Sequence, residues 1–208
     1  MSILKQLSSQ LGDRTESSNR QVIEKCLRTP VLLEEIAGGL EEQDAALLGD
    51  CLEVFTEMAA QQPAWIAPFA KKVVPFLDHK NTRVRWEAMH TIANVSALTP
   101  ELVQFLLPTL AEIIRTDKSI IVRDYAVDAV ANYAAVDKTT AENAYPILKQ
   151  AMTLWEGKQA GHALKGLTNV AGQVPALHSE LRAIAEGFLD HQRKVVAKAA
   201  KALLKATQ

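Results

Sequence analysis

The tetrapeptide Phe-Leu-Asp-His occurs twice, at Phe76 and at Phe188, each time just ahead of a run with helical periodicity. The 112 residues between the copies are three steps of a shorter period. Aligning the chain on Ala88, Ala126, Ala163 and Ala200 gives spacings of 38, 37 and 37 residues, and one further step back reaches Cys51, with Leu47 and Phe55 on the same helical face. A unit this short cannot bury its apolar face alone, so neighbouring units must supply the cover. The period therefore constrains the fold more tightly than any single motif.

Within the unit the pattern is helical. Val84, Ala88, Ile92 and Val95 recur at i, i+4, i+8 and i+11, and Val122, Ala126, Val130 and Tyr133 repeat that stripe. A preceding segment with a proline leads into each stripe, at Pro68, Pro108 and Pro146, and an acidic residue closes it at Asp78, Asp117, Glu156 and, in the last copy, Asp190. The unit reads as helix, short polar corner, helix. The His79 and His191 side chains occupy equivalent corners and read as polar residues at the start of the second helix.

Composition agrees. Aromatic residues are 5% of the chain while 48% of it is hydrophobic, which favours helices packed through Ala and Leu over a sheet. No apolar run is long enough for a membrane span and the first residues lack the apolar core of a signal peptide, so a soluble, cytoplasmic protein is expected. Two cysteines, Cys26 and Cys51, are too few for a disulfide framework and stand apart from any zinc spacing. The net charge of −1 hides a polarity: residues 1–62 hold 5 basic and 11 acidic side chains, and residues 63–208 hold 18 and 13.

These features resemble HEAT repeats, relatives of the armadillo repeats. The likeness is carried by Val84-Arg85 and Val122-Arg123, by the Ala three residues after each Arg, and by the acidic residue and prolines of the first helix. It covers residues 29–208, with residues 1–28 as an N-terminal helical cap that forms one continuous domain with the repeats. The resemblance implies an all-α, right-handed α-α superhelix of about five HEAT-like helix pairs. It also implies a structural polar ladder of Asp78, Arg85, Asp117 and Arg123. The later units depart from the pattern, with Ala160-Gly161 and Val196-Ala197 where Val-Arg would stand.

No catalytic motif is present: there is no glycine-rich phosphate loop, no G-x-S-x-G and no H-E-x-x-H. Neither a cofactor nor a metal site is expected. A column of asparagines stands out instead. Asn94, Asn132 and Asn169 each follow their register alanine by six residues, on a flank about 120° from the buried stripe. Two roles fit this column: amide contacts to a bound backbone, or service to carbonyls at a helix end. On the same side lie Trp86, Glu87 and His90, then Asp124, Tyr125 and Asp128, then His162 and Lys165. Because second helices line the concave surface of HEAT-like solenoids, these residues together form the expected partner-binding groove. Trp65 and Trp155 fall in first helices and read as core or outer-face residues. Lys194, Lys198, Lys201 and Lys205 share one face of the last helix, the expected polar outer face of a capping helix.

The function that follows is a non-enzymatic scaffold binding a protein or peptide segment on its concave face. The alternative is a DNA-binding protein resembling the HEAT-like glycosylases of alkylated bases, with Trp86, Arg123, Asp124 and Asp128 nearest to such a role. A net charge of −1 argues against nucleic acid as the principal partner.

Overall fold

A computed structural model describes residues 2–15 and 17–208 of the chain. The secondary structure among them is entirely helical, and the chain divides into two compact units, residues 1–98 and 99–208. No helix among the described residues is long and apolar enough to cross a membrane.

The first unit begins with the helices α1 (Ser8–Leu11) and α2 (Ser17–Arg28), within the segment expected to be a cap. Then come α3 (Leu32–Gly38) and the long α4 (Ala45–Gln61), started by Asp44, whose carboxylate accepts the Ala46 N–H. The next first helix is broken into α5 (Pro63–Ile66), α6 (Ala70–Val73) and 3₁₀ turns at Ala67–Phe69 and Val74–Phe76. Pro63, Pro68 and Pro75 remove three amide donors within thirteen residues, which explains why it does not run as one helix. The unit closes with α7 (Thr82–Val95), which Asn81 caps by accepting from the Arg83 and Val84 N–H groups.

The second unit contains α8 (Pro100–Thr116) and α9 (Ile120–Tyr133), α10 (Lys138–Ala151) and α11 (Ala160–Gln173), then α12 (His178–Glu186) and α13 (Lys194–Ala206). Here Pro108 and Pro146 sit inside continuous helices. Within each unit the second helices lie side by side, α4 on α7, and α9 on α11 on α13.

The register alanines lie in the core. Ala88, Ala126, Ala163 and Ala200, with Cys51, are all fully buried. At Gly166 the helices approach too closely for a side chain, since a Cβ there would lie 2.7 Å from Leu148 Cδ2 and 2.8 Å from Ala131 Cβ. Burial pushes the Cys26 and Cys51 thiols up to about 11 and about 12, which leaves both protonated and inert.

The duplicated tetrapeptide builds the same corner twice. In each copy the His N–H donates to the Phe carbonyl (3.2 and 3.3 Å), and the His Nδ1 accepts the N–H two residues on, from Asn81 or from Arg193, at 3.1 Å. Phe76 and Phe188 rest against the imidazoles, with ring centroids 6.4 and 6.0 Å apart. The recurrence of the motif is thus the recurrence of one turn.

A buried polar network holds the first unit together. Asp50, 1% exposed, accepts from the Ser9 N–H (2.7 Å), Asn19 Nδ2 (3.0 Å) and Arg83 Nη2 (2.9 Å), and Glu53 accepts from the same Asn19 and Arg83 groups at 2.9 and 2.6 Å. Asn19 Oδ1 in turn accepts the Ser8 N–H at 2.8 Å. The charge pair is therefore surrounded by donors rather than abandoned in a low dielectric. These donors outweigh the burial of Asp50 and hold its carboxyl below the usual range.

The first helix expected to close at Glu156 stops at Ala151 instead, and a different corner joins α10 to α11. Trp155, Glu156 and Gly157 are left-handed, with φ of 51°, 57° and 72°. Two of them carry a Cβ, which costs about 1–2 kcal/mol each in this region. Glu156 is exposed, so replacing it tests the strain without disturbing packing. Glu156→Gly should raise the melting temperature by about 1–3 °C, corresponding to about 0.5–1 kcal/mol after the greater chain entropy of glycine is subtracted. Calorimetry of the two proteins checks this, and an unchanged or lower value refutes strain at this turn.

Candidate functional site

The polar residues picked out on the second helices fall into one set in each unit. On α7, Trp86, Glu87, His90 and Asn94 are all half-buried. The Trp86 indole N–H donates to Glu87 Oε1 at 2.7 Å, and the Glu87 carbonyl accepts from Thr56 Oγ1 of α4 at 3.0 Å. Thr56 and Thr91 hydroxyls meet at 3.0 Å beneath them. Burial pushes the Glu87 carboxyl up, and the indole bond opposes this. The indole and the Glu87 carboxyl group are thus joined side by side on α7.

In the second unit, α9 contributes Asp124, Tyr125, Asp128 and Asn132, of which only Asn132 is exposed, and α11 contributes half-buried His162 and Asn169 and exposed Lys165. His162 lies between the two carboxylates, with Nδ1 2.7 Å from Asp128 Oδ1 and Nε2 4.0 Å from Asp124 Oδ2. Gln159, fully buried, donates through Nε2 to Asp124 Oδ1 at 3.0 Å. Nothing in the sequence pattern marks Gln159, because it precedes α11 and belongs to no periodic column. No group of His, Cys, Asp and Glu among the described residues has the geometry to hold a metal ion.

The asparagine column acquires a definite geometry. Asn94 Nδ2 donates to the Thr56 carbonyl at 3.3 Å, and Asn169 Nδ2 donates to the Ala131 carbonyl at 2.8 Å, each reaching 38 residues back to the preceding second helix. Gln173 does the same to Ala135 at 3.0 Å. Ala131 belongs to the last turn of α9, where carbonyls lack a partner further along the helix. Carbonyl service is therefore part of what these asparagines do.

The ladder residues also turn to backbone. Arg85 Nη1 donates to the His79 and Lys80 carbonyls at 2.8 and 3.3 Å, and Arg123 Nη1 donates to the carbonyl of Asp117, six residues back in both units. The Asp117 carboxylate accepts the Ser119 N–H at 2.7 Å, while Asp78 is exposed at its corner. Arg123 is 1% exposed and stacks on the Trp155 ring, 4.0 Å from its centroid. Trp155 itself donates its indole N–H to the Ile114 carbonyl at 3.0 Å. It is therefore a clasp between α8 and the α10–α11 corner rather than a residue of a first helix.

Two measurements follow. Asn169→Ala leaves the Ala131 carbonyl without its donor, and should lower stability by about 1 kcal/mol in thermal or urea unfolding. The second concerns pH. The hydrogen bond that His162 donates to Asp128 raises its pKa, and Asp124 adds to this against the effect of burial. The stabilisation is complete below the ordinary His value of about 6.5 and is lost as pH rises through the folded-state value. The melting temperature should fall over that rise in the parent, and His162→Gln should flatten the slope.

No protein-family model matches the chain, and no curated protein matches it. Solved structures do. The designed armadillo repeat protein YIII(Dq.V1)4CPAF, in complex with the peptide (KR)4, matches with a TM-score of 0.74 at 20% identity, over 99% of this chain and 98% of that one. The related design YIII(Dq)4CqI gives 0.72 at 21% identity, again over 99% and 98%. A computationally designed armadillo repeat protein for modular peptide recognition gives 0.70 at 21%, over 98% of both chains. This chain therefore has the all-α fold of a HEAT-like, armadillo-like repeat solenoid, about five helix pairs preceded by an N-terminal helical cap.

Proposed function

We propose that the protein is a non-enzymatic interaction scaffold that holds an extended segment of a partner protein along its second helices, on the concave face. The observation that carries this reading is the matched register of polar and aromatic side chains: Glu87, Tyr125 and His162 one residue before the register alanine of α7, α9 and α11, and His90, Asp128 and Lys165 two residues after it. Such rows fit a peptide because an extended chain offers side chains and amides at regular intervals. The likeness to designed proteins that bind or recognise peptides supports the same reading.

On this reading the members of the row do different work. Asn94 and Asn169 direct an amide N–H inward, to the preceding helix. Recognition then rests mainly on Trp86, Tyr125 and Lys165, with Asp124 and Asp128 providing charge. The row mixes both signs and the whole chain carries −1, so duplex DNA is not the ligand favoured.

The test is affinity capture from the native cell extract by the parent and by a Trp86→Ala/Tyr125→Ala/Lys165→Ala variant, with melting curves for both. A partner retained by the parent, lost at least about tenfold by the variant, and mapped to a short segment is the expected result; three lost contacts of about 0.5–1 kcal/mol suffice. Equal capture by both proteins refutes the assignment. Tight duplex DNA binding with a steep salt slope, lost in the variant, replaces it with the nucleic-acid reading.

A further inference from the structure

The outward face of α13 belongs to none of the surfaces described above. Lys194, Lys198, Lys201 and Lys205 are all exposed on it, spaced four, three and four residues apart over about 16 Å of helix. Residues 191–208 carry five cationic side chains, these four and Arg193, and no Asp or Glu. The charge is concentrated towards this end of the unit: α9 carries one Arg and two Asp, α11 a single Lys, and α13 four Lys, with no acidic residue in either of the last two.

The register shows what this face corresponds to. One period of 37 residues back from Lys198, Lys201 and Lys205 stand Gly161, Leu164 and Thr168 of α11. Gly161 and Leu164 are buried and Thr168 half-buried; a Cβ on Gly161 would lie 3.8 Å from Val196 Cγ2 of α13. Another period back are Asp124, Val127 and Ala131 of α9, where Asp124 takes the Gln159 amide and Ala131 receives the Asn169 bond from α11. This is the side on which a second helix receives the next one. In α13 the same positions are lysine.

We infer that the lysine face of α13 is a docking surface for an acidic helix of a partner protein, seated in the position that a further second helix would occupy. The shape is that of a helix-receiving face, and the charge selects what it receives. An apolar helix would strip water from four ammonium groups without replacing it, whereas carboxylates at matching spacing pair with them. The aliphatic lysine stems, and Val195, 51% exposed at the edge of the face, provide apolar contact beside the charges. Of the carboxylates on the adjoining α12, Glu180 is already paired with Lys149 at 2.5 Å. Only Lys198 stands at a register position of the peptide row, that of Trp86 and Asp124, and the two tests change different residues, so either reading stands or falls alone.

The probe is a labelled helical peptide of Ala and Leu bearing four Glu at spacings of four, three and four, read by fluorescence anisotropy at low salt. The full chain should bind it saturably, and Lys194→Gln/Lys198→Gln/Lys201→Gln/Lys205→Gln should weaken binding at least about tenfold with circular dichroism unchanged. A Lys198→Glu/Lys201→Glu protein should lose the probe and regain binding to a peptide with Lys at the two facing positions. That exchange also serves if the fourfold variant fails to fold. Equal binding of a Gln-for-Glu peptide overturns the proposal, as does failure of the exchange. So does tighter binding of duplex DNA or of anionic vesicles than of the peptide, or self-association of the chain that the fourfold variant abolishes.

Discussion

Every helix ends with carbonyls that the helix itself cannot satisfy, and a repeat protein has many such ends close to its packing surfaces. Here the next unit along satisfies several of them with side chains. Asn169 reaches Ala131, Gln173 reaches Ala135, Trp155 reaches Ile114, and Arg193 reaches Lys158 at 2.9 Å. His178 and Arg182 do the same for Ala171 and Thr207 within the last pairs. Apolar packing between Ala-rich helices is permissive and would tolerate sliding. A donor that meets a carbonyl at one position is not, so these bonds fix the register at which the apolar faces meet.

Charged groups are placed by the same economy of donors. Asp50 and Glu53 lie at the junction of α1, α2, α4 and α7, where each negative charge is met by Asn19 and Arg83 together. His162 is set between Asp124 and Asp128, and Arg123 is covered by Trp155 on one side and a carbonyl on the other. In each case a polar group at a helix seam is matched by a partner from another helix, which penalises any packing that separates the two. The polar seams specify the arrangement, and the alanine stripes stabilise it.

The architecture was legible because the period is written in the residues that need it most. The buried alanines, the Phe-Leu-Asp-His corners and the Val-Arg pairs recur because each does one job per unit, and the comparison with designed repeat proteins agrees with the fold read from them. What the sequence could not show were contacts made across the period. The inward bond of Asn169 depends on how far α11 lies from α9, which the close approach at Gly166 determines. The left-handed turn at Trp155 and Glu156 has no local signal, since neither residue favours positive φ; tertiary contacts to Ile114 and Arg123 impose it. Gln159 and Arg83 likewise escape a search by column, because their partners lie on other helices.

The carbonyl clasps also bear on how such a chain yields to force. A pull that draws α9 away from α11 loads the bonds at Ala131 and Ala135 along their length, while the helices themselves keep their own ladders. These clasps are few and separately seated, so a seam of this kind opens by losing one bond at a time and can close again as each donor finds its carbonyl. The units then act as links that stretch at their joints before they unravel, a compliance built from the same groups that set their spacing.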